Sequence, residues 1–301
     1  MSVPYPIIFQ GDCTDYLNRD GIKDSFALTF LDPPFNQGKD YAHHDDDLPD
    51  EQYWDWMTKL CHRIHTATQT GGALYFMQRE KNSEFVLRCL RQAGWTLQNL
   101  IIWKKLTSAV PSARRYGKHY QIIAYATKGK TPRIFNRLRI DPPLPAHYKY
   151  ERENGMFVTD VWDDIRELTA GYFAGDEAMR KPNGERIHKQ QAPIALLLRI
   201  LLTSTRPDDL VFDPFSGTGT TGVVAQQLSR HFIGCEIDPL NAVVVQERLN
   251  TRRDADNIHK YRPDYRYTPE LNSIWIPQEN HANADNTDVL DLPLFRFPSQ
   301  E

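Results

Sequence analysis

Residues 210–228 read LVFDPFSGTGTTGVVAQQL. The apolar run Leu210–Phe212 predicts a strand, the Gly-Thr-Gly turn predicts a tight reversal, and Thr220–Leu228 predicts a helix. Gly217 and Gly219 let the backbone turn sharply and approach a ligand closely, and the helix beyond them offers unpaired N–H groups. Roughly twenty residues on, FIGCEIDP (232–239) ends a second strand in Glu236, a carboxylate able to accept both hydroxyls of a ribose. Asp213, Phe215, Thr220 and Asp238 are the flanking candidates for the same ligand. Gly217, Gly219 and Gly222 also satisfy the G-x-G-x-x-G spacing of dinucleotide sites, so this element alone says only that a nucleoside cofactor sits at a strand end.

Outward from it, short β-rich apolar runs alternate with amphipathic stretches, the pattern of a mostly parallel sheet wrapped by helices. Strands are expected at Ile7–Gln10, Ala27–Leu31, Ala73–Met77, Leu100–Lys104, Gln121–Ala126, Leu210–Phe212 and His231–Glu236. Helices are expected at Asp50–Thr68, Ser83–Ala93, Pro193–Ser204, Thr220–Leu228 and Pro239–Leu249. The runs at 100–104 and 121–126 have no helical pattern between them and read as an antiparallel pair at a sheet edge. Residues from about 128 to 187 break the rhythm with Pro, Arg, Tyr and Asn, as a functional or disordered insert does. Beyond about 251 the chain turns polar and reads as a loosely docked or partly disordered tail.

A second stretch, TFLDPPFNQG (29–38), is an apolar strand ending in Asp32-Pro33-Pro34-Phe35. Its chemistry matches a demanding reaction. The exocyclic amine of adenine or cytosine is a poor nucleophile because its lone pair is delocalised into the ring. Groups that accept hydrogen bonds from that amine pull the nitrogen toward sp³ and free the lone pair. The Asp32 carboxylate and the Pro33 carbonyl can both address one NH₂, and two successive prolines hold that carbonyl rigidly. Phe35 offers a flat face for an extruded base. Attack on a methyl sulfonium is a direct displacement that depends mainly on positioning. Asp45, Asp46 and Asp47, in the segment that follows, are expected to cap the next helix or face solvent. His43 and His44 lack further metal ligands.

Bulk properties set limits. The chain has 301 residues, 40% of them hydrophobic, enough for one large α/β domain. The net charge of −3 says nothing of nucleic acid, but residues 101–150 carry eleven Lys/Arg against a single acid, Asp141. Such a block reads as a footprint for phosphate. The N-terminal residues lack the pattern of a secretory signal, and the longest apolar run, Ile194–Leu202, is broken by Arg199 and too short to span a bilayer. Four scattered cysteines form neither a metal-ligand spacing nor a disulfide framework. A soluble, reduced, cytoplasmic protein is expected.

Asp-Pro-Pro-Phe, the Asp-Pro-Phe-Ser-Gly-Thr-Gly loop and their order together resemble the bacterial DNA amino-methyltransferases, specific for adenine N6 or cytosine N4. With the catalytic tetrapeptide first and the cofactor loop last, the order is similar to that of the β group. The resemblance runs from about residue 8 to 250. FQGDC (9–13) resembles the family's Gly-Asp-Cys segment, which implies that Asp12 and Cys13 lie against the adenine of the cofactor. TQTGGALYFM (68–77), IIWKK (101–105) and KHYQIIAYATKG (118–129) resemble its successive strands. HKQQAPIALLLRIL (188–201) resembles the segment that wraps the methionine end of the cofactor, and implies roles for His188 and Gln191. There Lys189 and Gln190 replace Pro-Thr, and Ala192 replaces a lysine.

The resemblance implies a Rossmann-like methyltransferase sheet with helices on both faces and an irregular target-recognition insert. It implies a catalytic half (1–129), the insert (130–187), a cofactor half (188–250) and a polar tail (251–301). S-adenosylmethionine is the implied cofactor and double-stranded DNA the implied partner; a cognate restriction endonuclease and a homodimer are compatible with the family. Catalysis falls to Asp32, Pro33, Pro34 and Phe35. Phosphate and base contacts fall to Lys104, Arg114, Arg115, Lys118, Lys128, Lys130, Arg133, Arg137, Arg139 and Tyr148.

Other readings are weaker. Cytosine-N4 enzymes share the chemistry but more often carry Ser at the position of Asp32. Cytosine-C5 methylation needs a thiol, usually in a Pro-Cys pair, and no cysteine here follows a proline. A nicotinamide oxidoreductase accounts for the glycine loop but not for Pro-Pro-Phe after a second strand. A methyltransferase-like fold that binds DNA without turnover rests only on the altered 188–193 segment.

Overall fold

The structure, a computed structural model, describes residues 5–38, 40–41, 44–105, 113–141, 153–168, 175–181, 183–187 and 191–276. The first half runs β1 (Ile7–Gln10), α1 (Cys13–Leu17), β2 (Phe26–Leu31), the short pair β3 (Asp40–Tyr41) and β4 (His44–Asp45), α2 (Asp50–Ala67), β5 (Thr68–Arg79), α3 (Ser83–Gln92), β6 (Thr96–Lys104) and β7 (Tyr120–Thr127). Next come the two-residue strands β8 (Arg139–Ile140), β9 (Met156–Phe157) and β10 (Val161–Trp162). The second half runs α4 (Ile194–Ser204), β11 (Leu210–Asp213), α5 (Thr220–Gln227), β12 (His231–Glu236), α6 (Pro239–Asn250) and α7 (Leu271–Ile274).

Eight strands form one sheet in the order β1-β12-β11-β2-β5-β7-β6-β10. Strand β7 is antiparallel to both neighbours, and the other pairs are parallel. Every residue of β2 is buried, as suits a central strand covered on both faces. Helices α2 and α3 pack on one face through residues such as Met57, Leu60, Ile64 and Leu90. Helices α4, α5 and α6 pack on the other through Leu197, Leu201, Val224 and Val245. In α2 the buried Tyr53, Met57, Leu60, Cys61 and Ile64 recur at helical spacing along one stripe. The order of the sheet turns at one place. From β2 the chain crosses through α2 to β5 on one side, whereas from β11 it crosses through α5 to β12 on the other. Strands β2 and β11 are themselves neighbours, with Val211 opposite Leu28 and Phe212 opposite Thr29. Open α/β sheets bind their ligands in the crevice beyond the carboxyl ends of two such strands.

The strands and helices expected from the pattern are all present, within a few residues at their ends. Two expectations change. The antiparallel pair β6–β7 does not close the sheet, because β10 adds to the outer side of β6 at Ile102 and Trp103. And residues 251–276 are not loosely docked. Trp275 and Asp256 are fully buried, Ile258 and Tyr265 belong to the core of the α4 face, and Arg199 joins the tail to the insert. The Arg199 guanidinium, the one charge in an apolar helix, donates to Asp164 at 2.8 Å and to the Tyr265 hydroxyl at 3.3 Å. Polar composition misleads here because the polar side chains bond to one another inside.

Candidate active site and cofactor cleft

The glycine loop is built on close approaches. Gly219 has φ of +77° and caps the N-terminus of α5, and a Cβ there would meet the Val245 side chain at 2.7 Å. A Cβ on Gly234, in the middle of β12, would lie 2.2 Å from Ser216 Oγ, so only glycine lets the loop settle onto that strand. Below the loop, Asp213 accepts from Phe215 N at 3.0 Å and from the Thr221 hydroxyl at 2.5 Å. It is entirely buried. Burial above all, with the nearby Glu236 carboxylate adding to it, pushes its carboxyl up to about 7 against the two hydrogen bonds.

Glu236 ends β12. Its two carboxylate oxygens accept one backbone N–H each, from Gly217 at 2.9 Å and Asp238 at 3.0 Å. The Asn241 side chain adds a third hydrogen bond to the same carboxylate, so the group is firmly oriented by the protein beside the glycine loop. Burial also raises its pKa. Beside it, Gly11 N donates to the Glu236 carbonyl at 2.9 Å and brings the segment Asp12–Cys13 to the same edge. Asp12 caps α1 through Thr14 N at 2.6 Å, and the Cys13 thiol is buried, its pKa raised by that burial. Asp238 serves as the cap of α6, accepting from Leu240 and Asn241 N–H.

Strand β2 delivers Asp32 to this place. A single cleft is lined by Asp32, Phe30, Gln191, Asp213, Gly217 and Thr220, among others. Gln191 is buried and its amide is spent on the chain: its oxygen accepts from Met179 N at 3.0 Å and its nitrogen donates to the Glu177 carbonyl at 3.0 Å. It therefore shapes the wall. His188 and Tyr148 lie outside the described residues.

The Asp-Pro-Pro-Phe turn is braced from behind. The Tyr53 hydroxyl donates to the Pro34 carbonyl at 2.7 Å and accepts from Gln78 at 3.0 Å. Two expectations are corrected here. Phe35 is 4% exposed and belongs to the core, so its ring is not an open platform in this arrangement. Asp46 does not cap a helix: it is buried and accepts from Asn36 N at 2.8 Å and Gln37 N at 3.0 Å. Helix α2 starts at Pro49 without a side-chain cap. Asn36 in turn exchanges two hydrogen bonds with the backbone of Leu48, at 2.7 and 2.8 Å. This stapling draws Phe35 inward.

Asp32, Asp213 and Glu236 thus share one edge of the sheet, with Asp32 and Asp213 lining one cleft and Glu236 holding its glycine loop through Gly217 N. The DNA methylase family model matches residues 26–246. The chain belongs to the DNA amino-methyltransferase family. It is 31% identical over 233 residues to the DNA adenine methyltransferase YhdJ of Escherichia coli K12, covering 71% of this chain and 73% of the relative. It is 27% identical over 270 residues to the type II methyltransferase M1.MboII of Moraxella bovis, covering 81% and 98%. Among solved structures, the fold is similar to the M1.HpyAVI–SAM complex (TM-score 0.55, 22% identity, 81% of this chain and 99% of that one). It is also similar to the PvuII cytosine-N4-specific methyltransferase (TM-score 0.57, 18% identity, 88% and 92%).

In this methyltransferase the basic residues do not form one surface. Lys104, Arg114, Arg115 and Lys118 lie at the catalytic edge, where β6 ends and β7 begins. Lys128, Lys130 and Arg133 follow the far end of β7, roughly 30 Å away at about 3.4 Å per strand residue. There Lys128 donates to Asp24 at 2.7 Å and to the Thr68 carbonyl at 2.8 Å, and Arg133 pairs with Asp209. Strand β7 thus carries the two halves of the basic block to opposite ends of the sheet. Arg137 and Arg139 both stack on the Phe157 ring at 4.2 Å.

Lys105, Glu167 and Tyr116 were not among the expected site residues. Lys105, half-buried beside β6, lies within electrostatic reach of Glu167, Asp32 and Glu80; burial nevertheless holds its pKa below the usual value. Glu167 is buried. Tyr116 is 96% exposed, between Arg115 and Lys118 at the catalytic edge. Lys105 belongs to the basic run read as a phosphate footprint, and an aromatic among arginines was a legible signal for Tyr116; Glu167 carries none. Among the described residues no helix is long and apolar enough to cross a membrane, and no group of His, Cys, Asp or Glu is arranged to hold a metal ion.

Proposed function

We propose that this chain transfers a methyl group from S-adenosylmethionine to the exocyclic N6 of adenine in duplex DNA, with the target base extruded toward Asp32. The observation that carries this reading is the single cleft at the β2–β11 switch point, lined by Asp32 from one strand and by the glycine loop from its neighbour. The residues present fit the cofactor: the Glu236 carboxylate is held beside the glycine loop by the Gly217 and Asp238 N–H groups, and Gly217 lines the cleft without a side chain. When bound, S-adenosylmethionine supplies an electrophilic methyl group. Asp32 accepts a hydrogen bond from the target amine and holds its lone pair free for attack, while Tyr53 keeps the turn in place. Lys104, Arg114, Arg115 and Lys118 set the duplex on the catalytic edge through phosphates, and Tyr116 offers a ring for an unstacked base.

Asp at position 32 and the relationship to an enzyme named an adenine methyltransferase favour adenine over cytosine. The test is direct. Plasmid DNA treated with the purified protein and S-adenosylmethionine is digested to nucleosides and examined by mass spectrometry. N6-methyldeoxyadenosine is expected. N4-methyldeoxycytidine would replace the adenine reading, and unmodified DNA with a protein that binds the cofactor would remove turnover altogether.

A further inference from the structure

Behind the cofactor cleft runs a chain of charged hydrogen bonds that joins its two walls. It starts at the glycine loop. Arg248, at the end of α6, has a side chain wholly removed from solvent. It donates to the Thr218 carbonyl at 2.7 Å and to the Thr220 hydroxyl at 3.2 Å. Its other face meets Asp256 bidentately, at 3.0 and 2.7 Å. Asp256 takes a second bidentate partner, Arg253, at 2.8 and 2.6 Å. Arg253 continues to the Glu177 carbonyl at 3.0 Å, an oxygen it shares with Gln191. The Glu177 carboxylate accepts the first backbone N–H of α4, from Ile194, at 2.6 Å. Thr220 and Gln191 both line the cleft.

Asp256 is the hub. Its two oxygens bridge Arg248, which holds the loop, and Arg253, which holds the 177–194 wall. Two guanidinium groups converging on one buried carboxylate would repel without it, and a buried charge that loses its partner is strongly destabilising. We propose that Asp256 is a positioning residue for the cofactor: it keeps the two walls of the cleft at their binding separation, so that a residue beyond the last sheet strand governs the affinity for S-adenosylmethionine. This rests on the proposed function of the cleft.

The experiment uses the full chain and three readouts. In Asp256→Asn the shape is kept and the charge removed. The dissociation constant for S-adenosylmethionine, measured by calorimetry on the DNA-free protein, should rise about ten- to a hundredfold. KM for S-adenosylmethionine should rise in parallel, while kcat at saturation stays within about threefold. Amide exchange without cofactor should quicken at Thr218–Thr221 and not along β5. A folded variant with unchanged affinity and unchanged exchange overturns the proposal, and so does a fall in kcat with KM unaltered. If Asp256→Asn does not fold, Arg253→Ala removes only the branch to Glu177 and leaves Arg248 paired; a several-fold weaker affinity is expected, and an unchanged one refutes the bridge. Failure of the wild-type protein to bind S-adenosylmethionine would instead sink the proposed function, and the exchange measurement would still decide whether Asp256 orders the loop.

Discussion

Asp213 offers a test of the cleft that needs neither DNA nor turnover. Its carboxyl is raised to about 7, by burial first and by Glu236 second. In the unfolded chain the same group ionises near 3.9. Between those values the folded state keeps a proton that the unfolded state has released, so folding is favoured at the acid end of the window. That contribution is fully present below the unfolded pKa and is lost as pH rises through the folded one. The interval corresponds to about 4 kcal/mol at most, and relaxation around the ionised group reduces it to about 2–4 kcal/mol. Asn at this position cannot ionise and keeps an oxygen for Phe215 N. Asp213→Asn should therefore gain stability over the wild type progressively from about pH 4 to pH 7 and hold that gain above pH 8. Urea denaturation of the cofactor-free protein across this range, read as the difference between variant and wild type, isolates the group. A difference that stays flat with pH, or that grows toward acid, refutes the assignment. Adding the cationic cofactor should flatten the curve, because a positive charge in the cleft favours the carboxylate.

Asp32→Ala should abolish methylation by more than about a thousandfold, the order seen when a preorganised polar group is removed, while calorimetry still detects cofactor binding; substantial residual methylation counts against its role. Glu236→Ala should weaken S-adenosylmethionine binding by about thirty- to a thousandfold, or about 2–4 kcal/mol, measured by titration of the purified variant. An unchanged dissociation constant would remove Glu236 from the ribose site. Replacing Lys104, Arg114, Arg115 and Lys118 with Ala should weaken binding to all duplexes alike and reduce the log–log salt slope by about 0.9 for each phosphate no longer neutralised. The same treatment of Lys128, Lys130 and Arg133 should leave both quantities unchanged; equal effects from the two sets would contradict the separation of the basic residues.

The sheet was legible because β2, β5 and β7 read as runs of apolar residues bounded by turns, and a strand buried on both faces tolerates little else. Asp32, Asp213 and Glu236 were legible for a related reason: each is an acid that ends such a run, and strand ends are where a parallel sheet presents its ligands. What composition conceals is pairing. Asp46 reads as one of three solvent-facing acids until the N–H groups of Asn36 and Gln37 are placed around it. Arg253 and Asp256 read as a polar tail, and Arg248 as an ordinary residue of an expected helix, because the partners that allow their burial lie at Thr218 and Glu177. The basic block hides its geometry because linear density carries no direction: the eight-residue strand β7 separates Lys118 from Lys128 in space, though not in character.

The placement of β11 and β12 between β1 and β2 also governs how the chain comes together during synthesis. Strand β1 has β12 as its neighbour, and β2 has β11 on one side. Both wait for residues 210–236, which leave the ribosome after most of the chain. Until then β2 can pair with β5 alone, and its other edge presents Leu28 and Phe30 with open backbone groups. Such an edge is a template for association with other chains. Loop closure over this distance is also slow, as it is for any fold dominated by non-local contacts. The seam between β2 and β11 cannot close before residues 210–236 are available, and Asp32 meets the glycine loop only at that step.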